Sequence, residues 1–285
     1  MSAIKLDGEL LAAEVREALK QRILKLERHG VRPGLGTILV GNDGPSENYV
    51  AMKHRDCKEL GMHSNEIKLP ETATQEDILL AVDSMNNDSE IHAFIIQYPF
   101  PDGLDYESAL MQVLPHKDAD GLHPVNLGRL VQGVEAPLAC TPAGIQLLLE
   151  RFEVPITGQH IVIIGRGLTI GRPLANLLSL KRPNANAAVT VVHTGVKNLA
   201  DYTRQADIII AAAGSPGMVT AEMVKPGAAV IAAGVSFDEK KLLSDVSDEV
   251  EMIAGWLSPR IGGVGPMTRA LLMQNTVTAA ESSAL

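Results

Sequence analysis

The sequence predicts an α/β protein of two domains, each built on a parallel sheet. Its 285 residues are enough for two cores of ordinary size. Short apolar runs alternate with stretches of helical period along most of the chain, which is the grammar of βαβ units. The runs are apolar nearly throughout, as expected where helices cover both faces of a sheet. Composition narrows the function. Hydrophobic residues at 46% and charged residues at 21% describe a folded chain. A net charge of -9 with 3% aromatics argues against the basic, stacking-rich surface of a nucleic-acid binder. No apolar run approaches the roughly 20 residues that span a bilayer. The opening MSAIKLDGEL lacks the apolar centre of a signal peptide, so a cytoplasmic protein without a membrane partner is expected. Cys57 and Cys140 lie far apart, outside any CxxC pattern, and read as reduced, buried thiols.

Taken in order, Leu11, Val15, Leu19, Ile23 and Leu26 recur at three- and four-residue spacing and predict a first helix, with Gly30 as its stop. Strands are predicted at Leu35 to Val40, Ile67 to Leu69 and Ala93 to Gln97. The helices between them begin near Ser46 and at Thr74, where Asp77 completes a capping box. The segment Cys140-Thr141-Pro142-Ala143-Gly144 reads as a helix start with Thr141 as N-cap, and this helix, to about Phe152, would join the domains. A second series of strands follows at His160 to Ile164, Val189 to His193, Asp207 to Ala213 and Ala228 to Ala232. A last helix runs from Pro266 to about Ala279 and could return to the first domain, and Glu281 to Leu285 reads as a frayed end.

The turn Gly165-Arg166-Gly167-Leu168-Thr169-Ile170-Gly171 follows a strand and opens a helix. Such a turn lets backbone N–H groups and the positive end of the helix approach a pyrophosphate, so the second domain reads as a Rossmann-like, doubly wound dinucleotide-binding fold. The spacing is one residue longer than the commonest fingerprint, and glycines also serve ordinary turns. The next strand ends His193-Thr194-Gly195 with Lys197 close by, where an NAD site tends to carry a carboxylate for the ribose. Arg166 and Thr194 could instead hold a 2′-phosphate, which favours NADP over NAD.

The first domain carries polar residues that packing does not ask for. Tyr49 and Lys53 are four apart and rise from one helix face. The same YxxxK spacing occurs in short-chain dehydrogenases, but there the nucleotide turn comes before the tyrosine. Gln97 closes its strand at the carboxyl end, where open α/β sheets bind ligands. Pro115 to Asn126 is dense in hydrogen-bonding groups and short of apolar ones. Its Asp118, Asp120, His116 and His123 have no matching ligand pair elsewhere, so no metal site is expected.

These motifs resemble one family, the bifunctional methylenetetrahydrofolate dehydrogenase/methenyltetrahydrofolate cyclohydrolases. The resemblance rests on Tyr49-Val50 with Lys53, Gln97 with Pro99 and Pro101, and Lys117-Asp118 with Asp120-Gly121, His123-Pro124, Asn126 and Gly128. It continues through Cys140-Thr141-Pro142 with Gly144, Gly165-Arg166 with Gly171 and Pro173, and Gly262 to Thr268. The match runs in order from about Ser46 to Thr276. It implies a folate- and catalysis-bearing domain at 1–140, completed by a C-terminal helix at 266–285, and an NAD(P)-binding domain at 141–265, with folate in the cleft between them and a homodimer formed through the nucleotide domain.

The implied reaction, in one-carbon metabolism and purine biosynthesis, moves a hydride from 5,10-methylenetetrahydrofolate to NADP. Water then converts the methenyl product to 10-formyltetrahydrofolate. By the resemblance Lys53 is the key residue of the hydrolytic half, Tyr49 and Gln97 assist it, and Asp120 holds the pterin. Gly165, Arg166, Gly167, Gly171, Thr194 and Val235 are the residues expected to bind the cofactor. Physics agrees with the lysine: an amine withdrawn from water loses basicity and can exchange protons where a surface amine cannot.

The chain departs from the family pattern in places. Gly167 stands where serine is common, Ala232 where an aspartate is usual, and Ser258-Pro259-Arg260-Ile261 replaces Thr-Pro-Val-Pro. Residues after Ser236 lack the usual glycine-bearing hairpin. Competing readings are a dehydrogenase with weak hydrolysis, a folate- or nucleotide-binding protein without turnover, and an unrelated dinucleotide-dependent oxidoreductase. Lys53, Tyr49, Gln97 and Asp120 together argue against the first two, since binding alone would not demand that lysine.

Overall fold

The apolar runs become strands in a computed structural model that describes residues 2–238 and 241–284. In chain order the first part holds β1 (Ile4–Lys5), α1 (Gly8–Arg28), β2 (Gly34–Val40), α2 (Gly44–Leu60), β3 (His63–Leu69), α3 (Gln75–Asn87), β4 (Ala93–Ile96), α4 (Tyr106–Gln112) and α5 (Pro124–Gln132). After these come α6 (Cys140–Arg151), β5 (His160–Ile164), α7 (Gly171–Ser179), β6 (Ala188–Val192), α8 (Ala200–Thr203), β7 (Ile208–Ala211) and β8 (Ala229–Ala232). The chain closes with β9 (Val235–Asp238), β10 (Lys241–Ser244), β11 (Trp256–Leu257) and α9 (Val264–Ser283). Contacts divide it into a three-stranded unit, residues 14–129, 134–138 and 269–284, and a six-stranded unit, residues 2–13, 130–133 and 139–268.

The three-stranded sheet has the order β3-β2-β4, parallel throughout. Every residue of central β2 is buried. A Cβ on its Gly36 would stand 2.7 Å from the Met85 sulfur and 2.8 Å from the Phe94 Cβ, so α3 and β4 pack where only glycine leaves room. Asp43 caps α2 by accepting from the Ser46 amide at 2.9 Å, and Gly61 ends that helix with a left-handed φ of 76°. The capping box at Thr74 and Asp77 forms in both directions.

In the six-stranded sheet the order is β1-β11-β8-β7-β5-β6, again parallel. From β5 the chain moves outward to β6, then crosses back to β7 on the other flank of β5. The strand order therefore reverses between β5 and β7, and the crevice at their carboxyl ends is the natural ligand site of such a sheet. The strands β5, β7 and β8 are buried, apart from His160 at the start of β5. Strand β1 pairs with β11 at the far edge, so residues 2–13 fold with this unit.

Several expectations need correcting. Helix α6 starts at Cys140 behind Ala139, and no side chain among the described residues caps it. The Thr141 hydroxyl instead lies 2.9 Å from that of Thr268. The segment without the usual glycine still gives two strands, β9 and β10, paired antiparallel with Val235 opposite Ser244 and Phe237 opposite Leu242, while Glu239 and Lys240 between them lie outside the described residues. The chain does not fray at Glu281, because α9 continues to Ser283 and Arg22 clamps Glu281 with two hydrogen bonds of 2.9 and 2.6 Å. Both cysteines are buried thiols outside any disulfide, and burial pushes the Cys57 thiol up to about 12. Among the described residues no helix is long and apolar enough to cross a membrane.

Candidate active site

Helix α2 and the end of β4 build a polar wall in the three-stranded unit. Lys53 is only 9% exposed, and its Nζ donates to Gln97 Oε1 at 2.9 Å. Gln97 is held at both ends of its residue. Its backbone amide donates to Ile38 O at 2.8 Å, continuing the parallel ladder past β4, and its Nε2 donates to Tyr98 O at 2.6 Å. The side-chain oxygen therefore has one orientation, toward Lys53. One helical turn before the lysine, the Tyr49 ring lies with its centroid 5.9 Å from Nζ and is 40% exposed.

Beside this wall stands an aromatic cluster that the sequence did not single out. Tyr106, at the start of α4, meets Tyr98 edge-on at 5.4 Å and Phe100 at 5.3 Å between ring centroids. Burial, then the carboxylates of Asp120 and Asp118, hold the Tyr106 phenol far above its ordinary range, so it stays a neutral hydroxyl.

The loop that carries Asp120 is tied to Asp118, which the sequence offered as part of the family motif and as a metal-ligand candidate. Asp118 is 3% exposed and accepts from the amides of Gly121, Leu122 and His123 at 2.9, 3.3 and 2.8 Å and from Asn126 Nδ2 at 2.9 Å. Both its oxygens are taken by N–H groups, so it acts as the internal post of the loop that presents Asp120. Lys117 is likewise structural, donating to Met85 O and Asp88 O behind α3. Asp56, one turn beyond Lys53 on α2, forms a buried ion pair with Arg269 of α9 at 3.3 Å. Burial raises the Asp56 carboxyl above its usual range, and the Arg269 charge opposes that rise.

In the six-stranded unit the glycine turn sits at the carboxyl end of β5. Gly165 has φ 122°, and a Cβ there would overlap Ala212 O, so the turn lies directly on the backbone leaving β7. Gly171 opens α7 against Gly165 O with the same lack of room. A Cβ on Gly167, by contrast, would meet nothing within 4 Å among the described residues. No side chain among them caps α7, whose first turn faces this bend. These features fit a dinucleotide: a close backbone, an open side at Gly167 and a helix end able to receive a phosphate.

Arg166 and Thr194 are both exposed, at neighbouring strand ends. Gly195 N donates to His193 Nδ1 at 3.0 Å. Arg166 Nη1 approaches Nε2 of the same ring at 3.5 Å, so the guanidinium and the imidazole stand side by side at the strand ends. Lys197 is exposed nearby, and Val235 opens β9 at 41% exposure. The structure thus brings Lys53, Gln97 and Tyr49 into one group and Arg166 and His193 into another.

Comparison with known proteins places these two groups of residues in two separately matched segments. Residues 6–120 match the family described as tetrahydrofolate dehydrogenase/cyclohydrolase, catalytic domain, and residues 139–284 match its NAD(P)-binding domain. The bifunctional protein FolD of Syntrophotalea carbinolica is 54% identical over 284 residues, covering 100% of this chain and 98% of its own length. The crystal structure of the bifunctional enzyme FolD, a methylenetetrahydrofolate dehydrogenase/cyclohydrolase from Campylobacter jejuni, is 38% identical with a TM-score of 0.95, over 99% of this chain and 100% of that one. A Trypanosoma brucei methylenetetrahydrofolate dehydrogenase-cyclohydrolase, solved with NADP and an inhibitor, is 36% identical with a TM-score of 0.94 over 99% of both chains.

Proposed function

The chain belongs to the tetrahydrofolate dehydrogenase/cyclohydrolase family, and from that premise we propose that the three-stranded unit binds the folate and hydrolyses its methenyl form through Lys53, while the six-stranded unit binds NADP. The enzyme oxidises 5,10-methylenetetrahydrofolate and hydrolyses the product to 10-formyltetrahydrofolate. The Lys53–Gln97 contact of 2.9 Å carries the assignment of the hydrolytic half. A buried amine held by an uncharged, fully oriented amide is an arrangement for moving protons, and packing alone has no use for it.

In the hydrolytic step Gln97 Oε1 takes one N–H of Lys53 and fixes the direction of the others. As the neutral amine, Lys53 accepts a proton from the water that attacks the methenyl carbon. It returns that proton to N5 as the carbon–N5 bond breaks, while the carbinol hydroxyl releases its own proton to solvent and becomes the carbonyl of the formyl group on N10. Tyr49 keeps its ring over the amine. Asp120 accepts hydrogen bonds from the amino-pyrimidinone edge of the pterin, and Asp118 keeps that loop in place.

For the oxidative step the bound dinucleotide supplies the carbon that accepts the hydride. Gly165, Gly167 and Gly171 would let the backbone and the start of α7 meet the pyrophosphate, and Val235 would border the site. Arg166 and Thr194 would hold the 2′-phosphate by a charge-assisted contact and a hydroxyl hydrogen bond, which favours NADP. The small-molecule folate is the substrate, and the enzyme works as a cytoplasmic homodimer, which size-exclusion chromatography with light scattering would test.

The deciding experiment follows reduced nicotinamide and methenyltetrahydrofolate at separate wavelengths, with methylenetetrahydrofolate and either NADP or NAD. Reduced cofactor should form with NADP while methenyl never builds up. Accumulating methenyl would remove the hydrolytic half, and no reduction with either cofactor would remove the oxidative half.

A further inference from the structure

Three backbone exits come together at the carboxyl end of the six-stranded sheet, those of β5, β7 and β8, and one side chain joins the last two. Asp245, just after β10, is 0% exposed. Its Oδ2 accepts from the amides of Ala213 at 2.7 Å and Gly214 at 2.9 Å. Those two residues are themselves exposed. Amides that water could serve are turned inward onto a buried carboxylate, which gives an exposed turn a fixed conformation.

That turn is what the glycine bend rests on. A Cβ on Gly165 would overlap Ala212 O and stand 3.6 Å from Ala213 N. On the far side Gly234, at the exit of β8, presses on the same carboxylate, and a side chain there would overlap Asp245 Oδ2. The backbone of Asp245 is tied in as well, since its carbonyl accepts from Val219 N at 2.9 Å. Its second oxygen, Oδ1, is buried with no hydrogen-bond partner among the described residues. A carboxylate left half satisfied out of water is unfavourable for folding alone, so its place between the exits of β7 and β8, against the turn that Gly165 meets, calls for a functional reason.

We propose that Asp245 is a positioning residue for the dinucleotide: its carboxylate fixes the Ala212-Ala213-Gly214 backbone, and through it the Gly165 turn, in the form that receives the cofactor. The inference rests on the reading that this unit binds NADP. It assigns Asp245 no contact with the cofactor, since the side chain is covered by the turns it holds. The Asp245→Asn change should be well tolerated, because an amide oxygen can accept from the same two N–H groups. Alanine cannot, and would release the exposed turn to solvent.

Titration calorimetry of the full-length protein with NADP tests this. Asp245→Ala is expected to raise Kd roughly tenfold or more by removing a charge-assisted acceptor shared by two amides. Asp245→Asn should stay within about threefold of the wild type. In dehydrogenase assays KM for NADP should rise in the alanine variant, while kcat at saturation changes by less than about threefold. Hydrolysis of methenyltetrahydrofolate, which consumes no dinucleotide, reports on the rest of the fold and should persist. Asp245→Ser, with one small acceptor, gives an intermediate Kd and serves if the alanine variant does not fold. An unchanged Kd in the alanine or serine variant overturns the inference. So does joint loss of NADP binding and hydrolysis in the asparagine variant, the mark of a merely structural residue. A wild type that binds no NADP overturns the cofactor reading and the inference with it, whereas wild-type binding untouched by Asp245→Ala overturns the inference alone.

Discussion

Two candidate sites sit at the carboxyl ends of two parallel sheets, and they are made of different material. In the three-stranded unit the working groups are side chains held by other side chains and carbonyls: Lys53 on Gln97, Gln97 on Tyr98 O, and the loop of Asp120 on Asp118. In the six-stranded unit the working surface is mostly main chain, shaped by the absence of side chains at Gly165 and Gly171 and by contacts between turns. The first arrangement suits chemistry on a substrate, where a proton must move at a defined atom. The second suits a phosphate-bearing ligand that needs close amides. A single atom removed from the first should abolish a step, whereas the second should lose affinity by degrees.

The largest expected effect tests that contrast directly. Lys53→Met keeps the length of the side chain and removes its proton. Methenyl hydrolysis should fall by ~10²–10⁴-fold, the usual worth of a general acid–base group, while folate affinity measured by fluorescence titration stays within a few-fold. Hydrolysis at the wild-type rate would show that Lys53 is not the proton carrier.

A second prediction concerns the support behind the lysine. The side chains of Asp56 and Arg269 are 9% and 13% exposed. Asp56→Ala leaves an uncompensated guanidinium in a mostly buried place and should lower stability in urea unfolding by about 3–5 kcal/mol. Asp56→Ala with Arg269→Met replaces the pair by apolar groups and should recover most of that loss. If the double variant were as unstable as the single one, the two residues would not be acting as a pair.

On the dinucleotide side the effect should be smaller and selective. Arg166→Ala removes one exposed cation beside His193, so kcat/KM with NADP should fall by roughly 10–100-fold, the value of a charge-assisted contact or two, and by only a few-fold with NAD. A ratio that already favours NAD, and that Arg166→Ala leaves unchanged, would mean the site does not read a 2′-phosphate.

How much of this could be read from the sequence follows the same division. Strand β2 was legible because all seven residues are buried, and α3 because Thr74 and Asp77 leave little choice of start. The polar candidates were legible by identity: a lysine and a glutamine have no reason to line a core. Strands β1 and β11 were missed because two residues carry no period. The start of α6 was misplaced because a proline lacks only an amide that no residue of the first turn uses, so Pro142 does not decide between neighbouring starts. Asp118 and Asp245 were invisible in their roles for a deeper reason. Each looks like one more acidic residue in a polar loop, and only folding shows that backbone amides converge on it.

The smallest effect lies at the end of α9, where the chain was expected to fray. Hydrogen bonding to Arg22 holds the Glu281 carboxyl below its usual range. A carboxyl with a lowered folded-state pKa keeps its charge in the native chain at pH values where the unfolded chain has begun to protonate. Its contribution is therefore complete at neutral pH, shrinks as pH falls below the ordinary glutamate value of about 4.3, and vanishes below the native value. The side chain is 38% exposed, so solvent screening keeps the contribution to about 0.2–1 kcal/mol. Comparing thermal midpoints of the wild type and Glu281→Gln from pH 7 down to pH ~3.5 should show a small gap that closes on acidification. A gap of constant size would mean that Arg22 stabilises the helix end through its other contact, the Thr278 hydroxyl at 2.7 Å, and not through charge.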